Sequence, residues 1–446
     1  MKPLEILYLP IGVPTFHLES AEKEFNKTKK LIASYEKDAI MPDEMLLSID
    51  KLIDFIEGRT PDLVIIQNVT FAHSAYTTEI FKRIQAPTLL WSLKEPVIDG
   101  SRLRLNTLTG GFAAGFAYKH MIDGNLLYMF GAPEDDDVKK KLNATIRAAR
   151  IKHEINGMNL AMVGHTPPGF GFGRALDLDM ATKFGVNLVA IESRELMDKA
   201  RNMTLDDAEE EDKTAHARMK KLDDSKKKNR DDFIKLYKAY KDFVEEKNIE
   251  ALASRCWPDF FDEYGTAVCG VLGMLQDDTV AAACEADAYG ALTMTIGQKL
   301  TGEPTYLGDP VSMDKEENTI TFWHCGTGAC SLARKDTGPL TGVHPNRKIG
   351  PTMEFGFKAN KEATIFRIGR LPDGTFRFFV RKGEILDKPK QFLGTSMVVK
   401  VDTPVEPLIT TLIKEGWEPH YGVIYGDVTE ELKALGDMLD IEVFEY

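Results

Sequence analysis

The chain has 446 residues, of which 43% are hydrophobic, and it carries a formal net charge of −13. This length predicts two or three domains with a sizeable core, and the acidic balance makes nucleic acid a poor partner. The sequence contains no run of about 18 apolar residues, which argues against a membrane-spanning helix.

Strands and helices alternate through the N-terminal third. Residues 4–13 (LEILYLPIGV) predict a first strand and not a signal peptide. Short apolar runs at 62–67 and 87–91 predict further strands, with a helix at 72–84 between them. This order is typical of a parallel sheet covered by helices. We predict a first α/β domain over residues 1–150.

A second α/β domain is predicted over residues 151–315. Its first strand is followed by HTPPGFGFGRAL, where the glycines of Gly169–Gly173 invite a dinucleotide-binding interpretation. The spacing does not fit, because the last glycine of that fingerprint would fall on Arg174. We favour a glycine-rich connection in a Rossmann-like layer, and an NAD oxidoreductase stays an alternative.

After residue 316 the residue pattern predicts mainly β-strands. Strand candidates are 318–324, 352–358, 362–369, 375–381 and 396–402. Several consecutive antiparallel strands predict a small barrel or a sandwich. The predicted fold is therefore α/β, with two Rossmann-like parallel-sheet domains followed by an α+β C-terminal domain (316–446) that holds a small antiparallel barrel.

The stretch 281–309 organises the candidate site. Glu285 stands at the start of a helical pattern, and Gly302 falls where the helix would end. Apolar residues recur between them at helical spacing, at Ala288, Leu292, Ile296 and Leu300. A short strand then returns to Asp309, which brings the two carboxylates to one edge, where they could bind a divalent cation or divide acid and base roles. The alternative is an ordinary helix-terminal Glu and a turn Asp.

Three motifs together carry a family resemblance. They are CEADAYGALTM followed by the Asp of LGDP, then WHCGTGA, then PHYGVIYGDVTEELKAL. Over residues 250–446 they resemble the fucose isomerase and arabinose isomerase superfamily. The resemblance implies a metal bound by Glu285, Asp309 and His420. Pro419 departs from the polar residue expected before that histidine, which leaves one substrate contact open.

The resemblance also implies a reaction. Family members interconvert an aldose and its 2-ketose through a cis-enediol, by proton transfer between C1 and C2. Glu285 and Asp309 would then serve as base and acid beside Mn²⁺ or another divalent cation, because oxygen ligands with one imidazole suit Mn²⁺. His324, in WHCG, would lie beside the sugar. The substrate would be a neutral pentose or 6-deoxyhexose, or a 6-modified hexose such as sulfoquinovose.

Other residues are candidates for sugar contacts. Trp91 and Trp257 could stack on a sugar ring, although a buried Trp is more often part of a core. Arg334 and Arg347 follow WHCGTGA and could bind an anionic substituent, or belong to a solvated loop. The resemblance further implies a homotrimer or homohexamer in which residues near Trp91 close a neighbour's site.

The cysteines leave one more alternative open. Their number is odd, at 5, in a large chain, so we expect reduced thiols and a cytoplasmic protein. A zinc site from His324, Cys325 and Cys330 is conceivable, but a second ligand pair is missing. A non-catalytic sugar-binding protein also stays possible, although it would need no Glu, Asp and His metal set.

Overall fold

The computed structural model describes residues 3–446, which form two compact units. The first covers the chain up to Glu154 together with Glu430–Ile441, and the second covers Ile155–Thr429 together with Glu442–Tyr446. Across residues 3–446, none of the helices has the length and apolar character needed to cross a membrane.

The first unit contains a four-stranded parallel sheet in the order β1-β2-β3-β4. Its strands are β1 (Ile6–Ile11), β2 (Leu63–Asn68), β3 (Thr88–Ser92) and β4 (Leu127–Phe130). The helices are α1 (Leu18–Tyr35), α2 (Ile49–Ile56), α3 (Ser74–Arg83), α4 (Thr107–Met121) and α5 (Asp136–Ile155). Every residue of the first three strands is buried, as expected of a parallel sheet covered on both faces.

The second unit opens with another parallel sheet, in the order β6-β5-β7-β8. Its strands are β5 (Asn159–Val163), β6 (Asn187–Ile191), β7 (Ile249–Ser254) and β8 (Ala281–Ala283). The helices are α6 (Asp177–Phe184), α7 (Ser193–Arg201), α8 (Glu209–Arg218), α9 (Lys227–Glu246), α10 (Cys269–Asp277) and α11 (Ala288–Thr301). The two predicted Rossmann-like layers are thus confirmed.

A closed barrel of antiparallel strands completes the second unit. The remaining elements are β9 (Tyr306–Asp314), β10 (Thr319–His324), β11 (Leu340–Gly342), β12 (Thr352–Gly356), β13 (Asn360–Arg370), β14 (Phe376–Ile385), β15 (Thr395–Val401), α12 (Val405–Lys414), β16 (Tyr421–Tyr425), α13 (Thr429–Leu439) and β17 (Glu442–Phe444). The barrel runs β15-β10-β9-β16-β13-β14 and closes because β14 also pairs with β15. The predicted barrel is confirmed, with β11, β12 and β17 as additional strands.

Helix α11 packs closely against the barrel strand β16. A Cβ added at Gly297 would lie 2.6 Å from Cγ1 of Ile424, so only glycine permits this approach. The helix begins at Ala288 with Asp287 as its N-cap, so the prediction that Glu285 starts it was wrong. The Asp287 side chain caps the N-terminus of this helix, because it accepts a hydrogen bond from the Gly290 N–H.

The strand after this helix is longer than predicted. β9 continues to Asp314, since its pairing with β10 extends as far as Thr319 opposite Asp314. Asp309 therefore lies inside a barrel strand and does not end a short one. β9 also carries residues that the sequence assigned to the central domain into the barrel sheet.

Candidate active site

Three adjacent barrel strands bring candidate ligands together. Asp309 on β9 pairs in register with Trp323 on β10, which places His324 next along that strand. Gly308 pairs with Tyr421 on β16, which places His420 just before that strand. Glu285 arrives from the parallel sheet, shortly after the carboxyl end of β8, where ligands of such sheets commonly bind.

A pocket of about 490 Å³ opens over these residues. Its walls are formed by Trp257, Glu285, Asp309, Trp323, His324, Cys325, His344, Asn346 and Arg347. His420 lies fully buried beside it. The structure thus gathers Glu285, Asp309, His324, Trp257 and Arg347 from the predicted site residues.

The Nε2 atom of His420 is surrounded as a cation ligand would be. It lies 3.0 Å from Glu285 Oε2 and 3.4 Å from Asp309 Oδ1. His420 is fully buried, and its Nε2 faces these two carboxylate oxygens. An octahedral cation with bonds of about 2.1 Å places adjacent ligand atoms about 3.0 Å apart. His420 Nε2 therefore lies within ligand distance of both carboxylates, and the ligand atoms of Glu285, His324 and His420 all lie within 4.8 Å of one another.

Asp287 fixes the orientation of His420. Its Oδ2 lies 2.9 Å from His420 Nδ1, and the same carboxylate accepts hydrogen bonds from Arg367. A proton on Nδ1 leaves the Nε2 lone pair free for a metal, which is the usual carboxylate–histidine–metal arrangement. The sequence analysis missed Asp287, although its position as a helix N-cap two residues after Glu285 was a usable signal.

The charges around His420 favour a cation there. Burial lowers the pKa of His420, but hydrogen bonds to Asp287 and Glu285 outweigh this effect and raise the pKa to about 10. Burial also raises the pKa of Asp287, yet Arg367 and His420 hold it well below its ordinary value. Positive charge at Nε2 is therefore stabilised, whether it comes from a proton or from a coordinated metal.

His324 differs from His420 in its hydrogen bonds. Its Nδ1 accepts the backbone N–H of Cys325 at 3.0 Å, so in the neutral ring the proton resides on Nε2. That buried Nε2 has no hydrogen-bond partner among residues 3–446. The Nε2 atom of His324 could donate to a sugar oxygen, or it could join Glu285 and His420 around a cation, since the ligand atoms of these three residues all lie within 4.8 Å of one another.

Glu285 is held in an uncommon backbone conformation. Both Glu285 (φ 58°) and Ala286 (φ 53°) lie in the left-handed region, which costs free energy for residues other than glycine. The Ala286 amide donates to the carbonyl of Ser254 at the end of β7. Trp257 donates its indole N–H to Glu285 Oε1 at 3.4 Å. This strained turn points the carboxylate into the pocket.

The two pocket carboxyl groups differ in proton affinity. Burial raises the pKa of Glu285, but His420 and His324 outweigh it and leave the pKa below its ordinary value. For Asp309 burial is also the largest effect, and it outweighs the nearby His420 and His324, so the pKa of Asp309 is raised. Environments that separate the pKa values of two carboxyl groups are typical of acid–base pairs.

The glycine-rich connection packs against His420 and Asp287. Phe172 contacts the His420 ring edge-on at 5.1 Å. A Cβ on Gly173 would lie 2.7 Å from the Asp287 Cα, so the loop needs glycine to reach this position. Close packing thus accounts for Gly173, and a positive φ of 87° accounts for Gly169.

Two predicted contact residues lie outside the pocket wall. Arg334 pairs with Asp336 and Asp387. Trp91 is buried in the first unit, where its indole N–H donates to the carbonyl of Gly131. The zinc alternative is not favoured either, because the Cys330 thiol contacts Met353 at 3.6 Å and is absent from the pocket wall.

Comparison with known proteins gives the family. Residues 331–446 match the L-fucose isomerase C-terminal domain. The chain is 54% identical over 446 residues to a sulfoquinovose isomerase of Clostridium sp. (strain MSTE9), which covers all of both chains. Sulfoquinovose isomerases of Alkalicoccus urumqiensis, with 99% of each chain covered, and Priestia megaterium, with 100%, are each 36% identical.

The chain belongs to the fucose isomerase-like superfamily, in its sulfoquinovose isomerase branch. It is an aldose–ketose isomerase, as the motifs around Glu285, Trp323 and His420 predicted. Members of this superfamily are generally metal-dependent, and the pocket contains a possible metal-binding group.

Asp287→Asn should weaken Mn²⁺ binding by about 10- to 100-fold, because the amide no longer fixes His420 as a carboxylate does. Titration calorimetry of the purified protein measures the affinity. Asp336→Asn is the matched control, since that exposed carboxylate lies away from the pocket. Equal Mn²⁺ affinity in wild type and Asp287→Asn would show that Asp287 does not support the metal ligand.

Proposed function

We propose that this enzyme isomerises sulfoquinovose to its 2-ketose and that it depends on a divalent cation, with Mn²⁺ as the best candidate. The position of His420 Nε2, which lies 3.0 Å from Glu285 Oε2 and 3.4 Å from Asp309 Oδ1, carries the proposal. These three side chains would hold the cation. When bound, it would polarise the sugar oxygens O1 and O2 and stabilise their developing negative charge.

The protein side chains would handle the proton. One of the two carboxylates, Glu285 or Asp309, removes the proton from C2 and returns it at C1, and the other serves the hydroxyl protons. His324 Nε2–H donates to a sugar oxygen that gains charge in the enediol. Protons removed are all returned, so the aldose and ketose differ only in where the carbonyl lies.

Glu285→Gln and Asp309→Asn should each lower kcat by about 10²-fold or more while the protein stays folded. Each change removes a charge with little change in volume. Ketose formation measures turnover, and circular dichroism checks the fold. A variant at either position that kept more than about a tenth of wild-type kcat would exclude that residue from acid–base catalysis.

Arg347 is the best candidate to bind the sulfonate. It lines the pocket beside Asn346, and its guanidinium lies over the rings of Trp257 at 6.0 Å and Phe261 at 5.8 Å. Among residues 3–446, no carboxylate is paired with it, whereas Arg334 is paired with two. A planar guanidinium held by aromatic rings is suited to hydrogen-bond an oxyanion group.

Arg347→Gln should lower kcat/KM on sulfoquinovose by about ten-fold or more, since a charge-assisted hydrogen bond contributes roughly 1.5–3 kcal/mol. Turnover of a neutral 6-deoxyhexose should change little. Arg334→Gln serves as the control and should leave both substrates unaffected. If Arg347→Gln reduced turnover of sulfoquinovose and of the neutral sugar equally, Arg347 would not bind the sulfonate. A neutral aldose would then become the better substrate assignment.

The enzyme is proposed to act as a homotrimer or homohexamer. Helix α4 of the first unit exposes Phe112 (76%), Phe116 (67%) and Leu108 (47%), which is uncommon for large apolar side chains. These residues line an apolar groove of about 630 Å³. A second copy of the chain would cover this face.

Light scattering should therefore give the mass of three or six chains, and Phe112→Glu should reduce that mass because it places a charge in the apolar contact. Lys119→Glu, on the same helix but outside the groove, is the control. A wild-type enzyme that was fully active as a monomer at assay dilution would contradict the oligomer.

We also place the enzyme in the cytoplasm. Its five cysteines are all buried and unpaired by disulfides. Reduced thiols in a large enzyme are typical of that compartment.

A further inference from the structure

Four of the five cysteines converge below the active-site pocket, although they are spread over 70 positions of the chain from 256 to 325. Cys284 directly follows β8, Cys325 directly follows β10, and Cys269 begins α10. The carboxyl ends of β7 and β8 meet at one edge of the parallel sheet, which adds Cys256 to the group. The fold therefore collects thiols from four separate elements in one buried place.

The spacing of the sulfurs is that of thiolates around one metal ion. The Sγ atoms of Cys269 and Cys325 are 3.8 Å apart. Those of Cys269, Cys284 and Cys325 all lie within 4.8 Å of one another. A tetrahedral zinc centre with Zn–S bonds of about 2.3 Å places its sulfurs about 3.8 Å apart, whereas a disulfide needs about 2.05 Å.

The surroundings suit a thiolate at Cys269 and allow an ion to enter. Cys269 is the first residue of α10, where the positive end of the helix dipole stabilises a thiolate. Cys256 contacts Cys284 and supplies a fourth thiol. Cys325 also lines the active-site pocket, so an ion can reach the cluster from there.

We propose that Cys269, Cys284 and Cys325 form a second metal site, selective for a thiophilic cation such as Zn²⁺, beneath the oxygen- and imidazole-lined site. Three thiols release their protons and form three metal–sulfur bonds, so no oxidant or reductant is needed.

Cd²⁺ is the probe, because its coordination by thiolates gives an ultraviolet charge-transfer band that oxygen ligands do not give. The full-length enzyme is first saturated with Mn²⁺ and then titrated with Cd²⁺. The band should saturate at one Cd²⁺ per chain, Zn²⁺ should abolish it by competition, and excess Mn²⁺ should not. Absence of the band in the wild type, or its loss in excess Mn²⁺, would overturn the proposal without reference to any variant.

Variants then assign the ligands. Cys269→Ser and Cys325→Ser should lose the band or shift its midpoint by at least ten-fold, and Cys269→Ala repeats the test if the serine variant folds poorly. Cys330→Ser is the matched control, because Cys330 is buried but contacts Met353 instead of the cluster. Glu285→Gln should keep the band, which separates the thiol site from the catalytic one. A band that survived in both cluster variants, or was lost in Cys330→Ser, would contradict the assignment.

Discussion

The buried chain Arg367–Asp287–His420 is the interaction on which the site depends. Arg367 and Asp287 are both fully buried, and they meet at 2.6 Å. Buried charges are tolerated only when paired, and breaking such a pair costs about 3–5 kcal/mol. The three residues come from β13, from the cap of α11 and from the residue before β16, so this one network ties the helix to the barrel and selects the tautomer of His420.

The active site lies where two architectures of the second unit meet. The parallel sheet contributes Glu285 after β8, and one end of the barrel contributes Asp309, His324 and His420 from neighbouring strands. Neither part alone carries all of these pocket residues. Joining them places Glu285 in the left-handed backbone region. This turn is stabilised by the hydrogen bond from the Ala286 N–H to the Ser254 carbonyl of β7.

The sequence predicted the layers and drew attention to Glu285, Asp309 and His420, because hydrophobic alternation and the family motifs are local signals. It placed the start of α11 too early, since the side chain of Asp287 decides that boundary by capping. It could not show the ion pair of Asp287 with Arg367, whose partners are 80 positions apart. The strand order of the barrel, β15-β10-β9-β16-β13-β14, was equally out of reach, because strands distant in sequence are neighbours in it.

The pairs Cys284–Glu285 and His324–Cys325 show how one chain can keep hard and soft ligands apart. In each pair, one side chain contributes an oxygen or a nitrogen to the pocket and the other contributes a sulfur to the thiol cluster, with Cys325 lining the pocket as well. Oxygen and imidazole ligands favour Mn²⁺-like ions, and thiolates favour softer ones. A single peptide bond thus separates two ligand sets of opposite preference. In the proposed arrangement, the oxygen and imidazole ligands of the pocket would favour the Mn²⁺-like ion, and the thiols would bind the softer metals.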